Sequence, residues 1–204
     1  MKFTLLSGDP GGSNFAYSIY DYDSQQAPAI FLEKSRMVMN TLSALDHGAN
    51  VKQRIDLFYD EMEKELPEGG HLALERYIPR GMRSGVLSEV IPMMMGVLMP
   101  MANKLWLPQA AEWKALVNRP LKPIGYKLGS GDPNKKNIYV LVRSEMKSRK
   151  LPSKIREASP HLFDSSLIGL AYIEKELGVP TLSTMTTMDH WMEHIECLCL
   201  AAMC

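Results

Sequence analysis

The feature that most constrains this chain is a turn-forming segment, GDPGGSN (residues 8–14), between two runs of alternating apolar residues. The preceding run, FTLLSGD (residues 3–9), has the period of two that is typical of a strand with distinct faces. Pro10 and the two glycines supply turn chemistry, and FAYSIYDYD (residues 15–23) then predicts the returning arm of a β-hairpin. The hairpin places Asp9 at the end of its first strand.

The rest of the chain mixes strand and helix patterns, which predicts an α/β layer fold. Further strands are predicted at residues 29–38 and 71–78, and a strand or strand-turn in the weaker pattern of residues 106–117. Helices are predicted at residues 51–66, at about 81–104 with a kink or break at its prolines, at about 133–149 with Asp132 or Asn134 as N-cap, at 159–177 and at 189–204. For 204 residues we expect one domain over residues 1–178 and a C-terminal helical extension over residues 179–204.

The apolar segments and the cysteines indicate a cytoplasmic protein. The apolar start MKFTLL meets a polar turn before it reaches the ~7 to 15 apolar residues of a signal peptide. The longest apolar run, residues 90–102, contains two prolines and is shorter than the ~20 residues that cross a bilayer. All three cysteines lie in the last eight residues, so no disulfide framework holds the body of the chain together. We therefore expect a reducing, cytoplasmic setting and no membrane contact.

The charges balance overall but are distributed unevenly. The 23 basic and 23 acidic residues give a net charge of zero, which argues against a protein that coats nucleic acid nonspecifically. Residues 135–156 nevertheless contain eight lysines and arginines against the single acid Glu145, whereas residues 46–68 contain seven acids against three bases. Such runs are often only solvated helix faces. Alternatively, they predict one basic face on the molecule.

Two carboxylates occupy unusual places in the predicted sheet. Asp9 and Glu75 each come directly after apolar strand residues, where an ionised carboxylate costs several kcal/mol unless it is paired or binds a metal. In the late helix, His161 and Asp164 are three residues apart and therefore lie on one face. If that helix packs across the ends of the two strands, these four side chains converge. Oxygen ligands of this kind suit Mg²⁺ or Mn²⁺ rather than zinc.

Each of these residues also has a purely structural interpretation. An aspartate before Pro-Gly is commonly a turn residue, and Glu75 can form a surface pair with Arg76. His161 and Asp164 can serve the N-terminus of their own helix, where acids are favoured. The order of the motifs along the chain is what favours a shared site.

That order resembles the RuvC-like branch of the RNase H-like nucleases, which includes Holliday junction resolvases. The resemblance covers residues 1–178 and rests on GDPGGSN with Asp9, on ALERY with Glu75 and on HLFDSS with Asp164. Many resolvases have an acid three residues before the last aspartate, whereas this chain has His161, as in the RuvC domain of RNA-guided CRISPR nucleases. The resemblance implies an RNase H-like fold, with a mixed five-stranded sheet flanked by helices, and a phage or viral origin.

The resemblance also implies an activity. It predicts a magnesium-dependent endodeoxyribonuclease that resolves Holliday junctions or other branched DNA during recombination, by two-metal-ion phosphodiester hydrolysis. Two Mg²⁺ ions per active site, with Mn²⁺ as a substitute and no organic cofactor, would be bound by the catalytic residues Asp9, Glu75, His161 and Asp164. His161 would orient or deprotonate the attacking water. A homodimer is expected, with the methionine-rich residues 85–104 either in the dimer contact or in the core.

Residues for binding branched DNA are predicted from charge and from the resemblance. Lysines and arginines bind backbone phosphates without regard to sequence. Tyr77 is the approximate counterpart of an aromatic residue that wedges the junction in resolvases. The full predicted set is Asn14, Arg76, Tyr77, Arg80, Arg83, Lys135, Lys136, Arg143 and Lys147.

Two other functions remain open at the level of the sequence. Actin-like ATPases and sugar kinases share the hairpin and use its aspartate and glycine-rich turn with phosphate and Mg²⁺. However, GSGDPNKKN (residues 129–137) lacks the spacing of a Walker motif. The other alternative is a nuclease-like fold kept as a catalytically silent module that binds DNA.

Overall fold

A five-stranded sheet with helices on both faces forms the centre of the computed structural model. The structure describes residues 1–11, 15–26, 30–38, 51–66, 69–78, 85–129, 135–157 and 159–204. Its strands are β1 (Lys2–Pro10), β2 (Phe15–Asp23), β3 (Ile30–Val38), β4 (Gly70–Leu74), β5 (Ala102–Trp106), β6 (Tyr126–Lys127) and β7 (Lys136–Asn137). Its α-helices are α1 (Val51–Glu65), α2 (Gly85–Leu98), α3 (Ala110–Leu121), α4 (Ile138–Ser148), α5 (Ser153–Glu157), α6 (Ser159–Leu177) and α7 (Met188–Ala201).

The order of the strands confirms the predicted mixed sheet. The order is β3-β2-β1-β4-β5, in which β1, β2 and β3 are antiparallel neighbours and β4 and β5 run parallel to β1. Strands β6 and β7 form a separate two-stranded sheet. An antiparallel meander followed by two parallel strands, with helices on both faces, is the arrangement of the RNase H-like fold.

The alternation in β1 assigns its side chains to two hydrophobic cores. Leu5 packs on one face of the sheet with residues of α3, α4, α6 and α7. Leu6 packs on the opposite face with residues of α1 and α2. Because successive strand residues point to opposite faces, Ser7 and Asp9 lie on the same side as Leu5, as the sequence predicts.

Helix α6 is held on the sheet by buried polar contacts as well as apolar ones. Ser7 Oγ donates a 2.7 Å hydrogen bond to the carbonyl oxygen of Ser165, and Tyr20 Oη donates a 2.8 Å bond to that of Ser166. Gly169 allows the close approach, since a Cβ at this position would lie 2.4 Å from a ring carbon of Tyr20. These contacts determine which residues of α6 lie at the end of β1.

The C-terminal residues 179–204 cover the core that contains α6. Trp191, Ile195 and Leu198 on α7 are fully buried in the same cluster as the apolar residues of α6. Cys199 is buried, while Cys197 and Cys204 are exposed, and all three are free. No helix in the described ranges is long and apolar enough to span a membrane.

Several predicted element bounds are wrong. Strand β4 ends at Leu74 rather than at residue 78, because the Arg76 N–H bonds to the carbonyl oxygen of Pro108 instead of continuing the sheet. The helix predicted to reach residue 104 ends at Leu98, and a 3₁₀ turn (Met99–Met101) leads into β5. Pro92, in contrast, lies inside α2 without splitting it.

Two further corrections concern α3 and α4. Residues 106–117 are predicted as a strand or strand-turn, but residues 110–117 lie within α3, whose start is fixed by a capping box between Gln109 and Glu112. The helix predicted from residue 133 begins at Ile138, and its N-cap is Asn137, which accepts a 3.0 Å bond from the Tyr139 N–H. The predicted caps Asp132 and Asn134 lie outside the described residues.

Candidate active site

Asp9 and Glu75 lie side by side at one edge of the sheet. Gly8 and Leu74 are the last paired residues of the parallel strands β1 and β4, and the Glu75 N–H donates a 3.1 Å bond to the Gly8 carbonyl oxygen. Parallel pairing therefore places the next residue of each strand at the same end of the sheet. Both carboxylates are only partly buried, so they face a site that solvent can reach.

His161 contacts Asp9 directly. The imidazole Nδ1 lies 2.7 Å from Asp9 Oδ2, across 152 positions of sequence. This hydrogen bond and the negative charge of Asp9 raise the pKa of His161 above its ordinary value, although burial opposes the shift. The ring is exposed, and Nε2 carries none of the hydrogen bonds observed in the described part of the chain.

Asp164 lies one turn further along α6 and is 8% exposed. Tyr139 Oη on α4 donates a 2.6 Å hydrogen bond to Asp164 Oδ1, and Lys114 Nζ on α3 lies 3.9 Å from Oδ2. Burial and the charge of Asp9 raise the pKa of Asp164 to about 7, despite the opposing effects of Tyr139 and Lys114. Burial also raises the pKa of the Tyr139 hydroxyl, so this group remains a hydrogen-bond donor at neutral pH.

Glu75 has a different aromatic partner. The indole Nε1–H of the fully buried Trp113 donates a 2.7 Å hydrogen bond to Glu75 Oε2. Burial and the charge of Asp9 raise the pKa of Glu75, while Trp113, Lys114 and His161 lower it. Lys114 therefore acts electrostatically on two of the three carboxylates.

The structure thus brings together all four residues predicted to be catalytic. The charge of Asp9 disfavours the ionisation of both Glu75 and Asp164, and a divalent cation among the three would relieve that repulsion. The three carboxylates and the imidazole are a donor set that suits hard cations such as Mg²⁺ and Mn²⁺. Each carboxylate is turned towards a protein hydrogen-bond partner, and within the described ranges no group of three or more potential ligands is already arranged to hold a metal ion.

The predicted DNA-binding residues fall into three groups. Arg76 and Tyr77 line a cavity of about 410 Å³ together with Glu75 and Lys114, so they lie beside the carboxylates. Arg143 and Lys147 line a separate groove along α4, which Lys135 and Lys136 precede in the chain. The remaining three predicted residues, Asn14, Arg80 and Arg83, lie outside the described residues.

Sequence reasoning did not identify the three residues that support the carboxylates: Trp113, Lys114 and Tyr139. Trp113 and Lys114 belong to the segment predicted as a strand or strand-turn, where their position towards Glu75 and Asp164 could not be deduced. The spacing of Trp113, Val117 and Leu121 is the helix signal that could have placed them on α3. Tyr139 has the spacing of an ordinary core residue, and only the packing of α4 on α6 brings it to Asp164.

Comparison with known proteins gives structural likenesses only. No family model and no curated protein matches the sequence. RuvC of T. thermophilus, solved with a Holliday junction substrate, is 12% identical, with 84% of this chain and 95% of that chain covered and a TM-score of 0.49. The Fowlpox virus resolvase, solved with Holliday junction DNA, is 18% identical, with 86% and 99% covered and a TM-score of 0.49.

A second Thermus thermophilus RuvC structure is 13% identical, with 85% of this chain and 97% of that chain covered and a TM-score of 0.46. At TM-scores below 0.5, such likenesses do not decide what this chain does. Its fold is defined by its own sheet topology, and its function has to be inferred from its own residues.

Proposed function

We propose that this protein is a metal-dependent, structure-selective DNA endonuclease that resolves Holliday junctions or other branched DNA. The observation that carries the proposal is the convergence of Asp9, Glu75, His161 and Asp164, which come from three separate elements of the chain. Their order matches the motif order of RuvC-like nucleases, and a basic groove lies beside them.

The three carboxylates would hold the metal ions. Asp9 is the central residue of the cluster, since its charge affects both Glu75 and Asp164. Two bound Mg²⁺ ions, with Mn²⁺ as a substitute, would supply a nucleophilic water and neutralise charge on the reacting phosphate. Glu75 and Asp164 would provide further ligand oxygens beside those of Asp9.

His161 would handle the proton of the attacking water. Its Nδ1 is bound to Asp9, which fixes the orientation of the ring and leaves Nε2 free to accept a proton or to orient the water. This arrangement uses a carboxylate to hold an imidazole in one orientation, the same division of roles found in hydrolytic triads.

Three neighbouring side chains would keep the site in order. Trp113 and Tyr139 each fix one carboxylate by a hydrogen bond from a neutral donor. Lys114 places a positive charge close to Asp164, where it can also attract the substrate phosphate. Arg76 and Tyr77 border the cavity next to Glu75 and would contact DNA there.

We propose a homodimer as the active form, since a four-way junction has to be cut on two strands. On α2, Met93 is 47% exposed and, in the 3₁₀ turn that follows, Met99 is 41% exposed, whereas Met94 is buried in the core. Exposed methionines are adaptable contact residues. A cytoplasmic location and a phage or viral origin are further predictions. Light scattering tests the homodimer, and cell fractionation tests the location.

The direct test is cleavage of labelled four-way junction, flap and linear duplex DNA with Mg²⁺, Mn²⁺ or EDTA. The proposal predicts cuts near the branch point of the junction, strict dependence on the divalent ion and no cleavage by Asp9→Asn. Asp60→Asn is the matched control, because Asp60 is an exposed aspartate on α1. Equal cleavage by Asp9→Asn would contradict the proposed site, and tight junction binding without cleavage would favour the silent DNA-binding module.

A further inference from the structure

One face of α4 connects the acidic cluster, formed by Asp9, Glu75 and Asp164, to a row of basic residues. Tyr139, Arg143 and Lys147 are spaced four residues apart, so they lie along the same side of the helix, with about 6 Å of rise between neighbours. Tyr139 is the residue that binds Asp164, at 2.6 Å. Arg143 and Lys147 therefore follow the active site at one and two helical turns.

These residues line a continuous depression. A groove of about 480 Å³ contains Tyr139, Arg143 and Lys147 on one side and Pro160, the residue before His161, on the other. Its end at Pro160 thus opens beside the acidic cluster. A second cavity of about 370 Å³ shares Arg143 and Lys147 and extends to Ser153 and Arg156.

The groove has an excess of unpaired positive charge. Arg143 and Lys147 are exposed, and neither takes part in the ion pairs observed among the described residues. Their acidic neighbour Glu145 is instead bound to Arg149, at 3.3 Å. Glu157 is the one acid among the residues that line the two cavities.

Arg156 supplies a second, independent observation. Its Nε is buried and has no hydrogen-bond partner within the described part of the chain. A buried donor of this kind costs free energy while it has no acceptor. Arg156 also lines the cavity at the far end of the groove, where its guanidinium adds a positive charge for a phosphate to bind.

We propose that the groove from Tyr139 to Arg156 is a phosphate track for one strand of the substrate. The strand leaves the acidic cluster on one side of the cut and runs along α4, with successive phosphates at Arg143 and Lys147 and a further phosphate at Arg156 and Ser153. The turn-by-turn spacing of α4 is comparable with the spacing of phosphates along a strand. The inference rests on the proposed function and adds the direction in which the cut strand leaves the site.

The first test measures binding without cleavage. A fluorescent four-way junction is titrated in EDTA with wild type, the double variant Arg143→Gln/Lys147→Gln, Arg156→Gln and the control Lys122→Gln, an exposed lysine outside the groove. We expect the double variant to bind about tenfold more weakly and with a smaller salt slope, because each lost phosphate contact reduces that slope. Arg156→Gln should weaken binding as well, while Lys122→Gln should not.

Thermal unfolding and Mn²⁺ binding of each variant show whether its site is intact. A double variant with unchanged affinity and salt slope, or a control that is weakened equally, would overturn the track. Both readouts are independent of turnover. If the wild-type protein binds through the groove but does not cut, the nuclease proposal fails and the track stands. If the wild type cuts normally and the variants bind the junction as tightly as it does, only the track is contradicted.

The second test examines direction. Neutral methylphosphonate linkages are placed singly at the first and second positions on either side of the cut in the junction. The track predicts weaker binding for substitutions on one side only, and the double variant should lose that sensitivity. Equal effects on both sides, or a one-sided effect that persists in the double variant, would contradict the inference.

Discussion

Ser7 on β1 and Ser165 on α6, 158 residues apart in sequence, are joined by a 2.7 Å hydrogen bond from Ser7 Oγ to the Ser165 carbonyl oxygen. Ser165 directly follows Asp164, and Ser7 precedes Asp9 by two residues. Ser18 Oγ adds a 3.0 Å contact to Ser165 Oγ in the same buried seam. The distance between the first and last carboxylates of the cluster is therefore set by the contact between the sheet and α6.

Adding a methyl group at this contact should displace α6. In Gly169→Ala the new Cβ would lie 2.4 Å from a Tyr20 ring carbon and 2.7 Å from Ser7 Oγ. We expect a loss of about 1 to 3 kcal/mol in the free energy of unfolding, as is typical of overpacked cores, together with weaker Mn²⁺ binding. Chemical denaturation and Mn²⁺ titration measure the two effects.

Gly96→Ala is the matched control for that substitution. Gly96 is an exposed helical residue, and nothing lies within 4 Å of its Cβ position. Alanine should stabilise this helix by up to about 1 kcal/mol. A Gly169→Ala protein as stable as Gly96→Ala would show that α6 is not held as closely as the structure indicates.

Much of the fold could be predicted from the sequence because its signals are local. The turn chemistry at residues 10–14 and the period-two runs around it define the hairpin, and the helical spacing of apolar residues in 159–177 defines α6. The predicted ends of strands and helices are wrong where tertiary contacts, rather than the local sequence, determine them. Strand β5 has mostly exposed or half-buried residues and forms only because β4 offers it an edge, and β4 ends where Arg76 turns to Pro108.

Removing the hydrogen-bond donor to Glu75 should weaken the site without removing a ligand. Trp113→Phe keeps most of the ring volume but deletes the Nε1–H that lies 2.7 Å from Glu75. We expect a loss of about 2 kcal/mol in stability, since the bond is made to a partly buried ionisable group, and a higher Mn²⁺ requirement for cleavage.

Trp106→Phe provides the comparison, because it deletes the same atoms from a half-buried indole that does not contact the carboxylates. Its Mn²⁺ requirement should equal that of wild type. Equal changes in the two variants would mean that Trp113 acts through packing alone.

The hydroxyl of Tyr139 should matter more for metal binding than for folding. Tyr139→Phe removes the 2.6 Å donor to Asp164, so the carboxylate loses its fixed orientation and its pKa rises further. We expect Mn²⁺ affinity to fall by about tenfold near neutral pH, which corresponds to a hydrogen bond worth about 1.4 kcal/mol. Tyr126→Phe, at a half-buried tyrosine on β6, should leave the affinity unchanged, and a similar loss in both variants would contradict this role.

The raised pKa of Asp164 predicts how stability depends on pH in the absence of metal. The pKa of Asp164 is about 7 in the folded protein and ~3.9 in an unfolded chain. The protonated carboxyl group therefore contributes its full stabilisation of the folded state below about pH 3.9. That contribution is lost as the pH rises through 7, because ionising the buried carboxyl group then costs free energy. Asp164→Asn should therefore gain stability relative to wild type between about pH 5 and pH 8 in EDTA.

Thermal melting across this pH range measures the difference between the two proteins. Addition of Mn²⁺ should stabilise wild type at the upper end of the range but not the variant. A difference in melting temperature that is the same at both ends would mean that Asp164 does not titrate as the structure indicates.

The candidate site was predictable only in part. The four residues of the cluster carry local signals, namely carboxylates directly after apolar strands and a histidine and an aspartate three residues apart on a helix. Lys114 and Tyr139 carry none, because they reach Asp164 through the packing of α3 and α4 against α6. The basic residues 135–156 are recognisable as a cluster in the sequence, but the groove that contains Arg143 and reaches the candidate site depends on the start of α4 at Ile138.

The most direct measurement is the binding of Mn²⁺ to the metal-free protein, followed by electron paramagnetic resonance for wild type, Asp9→Asn and Asp60→Asn. Asp60 is an exposed aspartate on α1, outside the cluster, and serves as the control. We expect two Mn²⁺ ions per chain in wild type and in the control, and loss of tight binding in Asp9→Asn. Wild-type protein that binds no Mn²⁺, or an Asp9→Asn protein that binds it as wild type does, would contradict the claim that these side chains form a divalent-cation site.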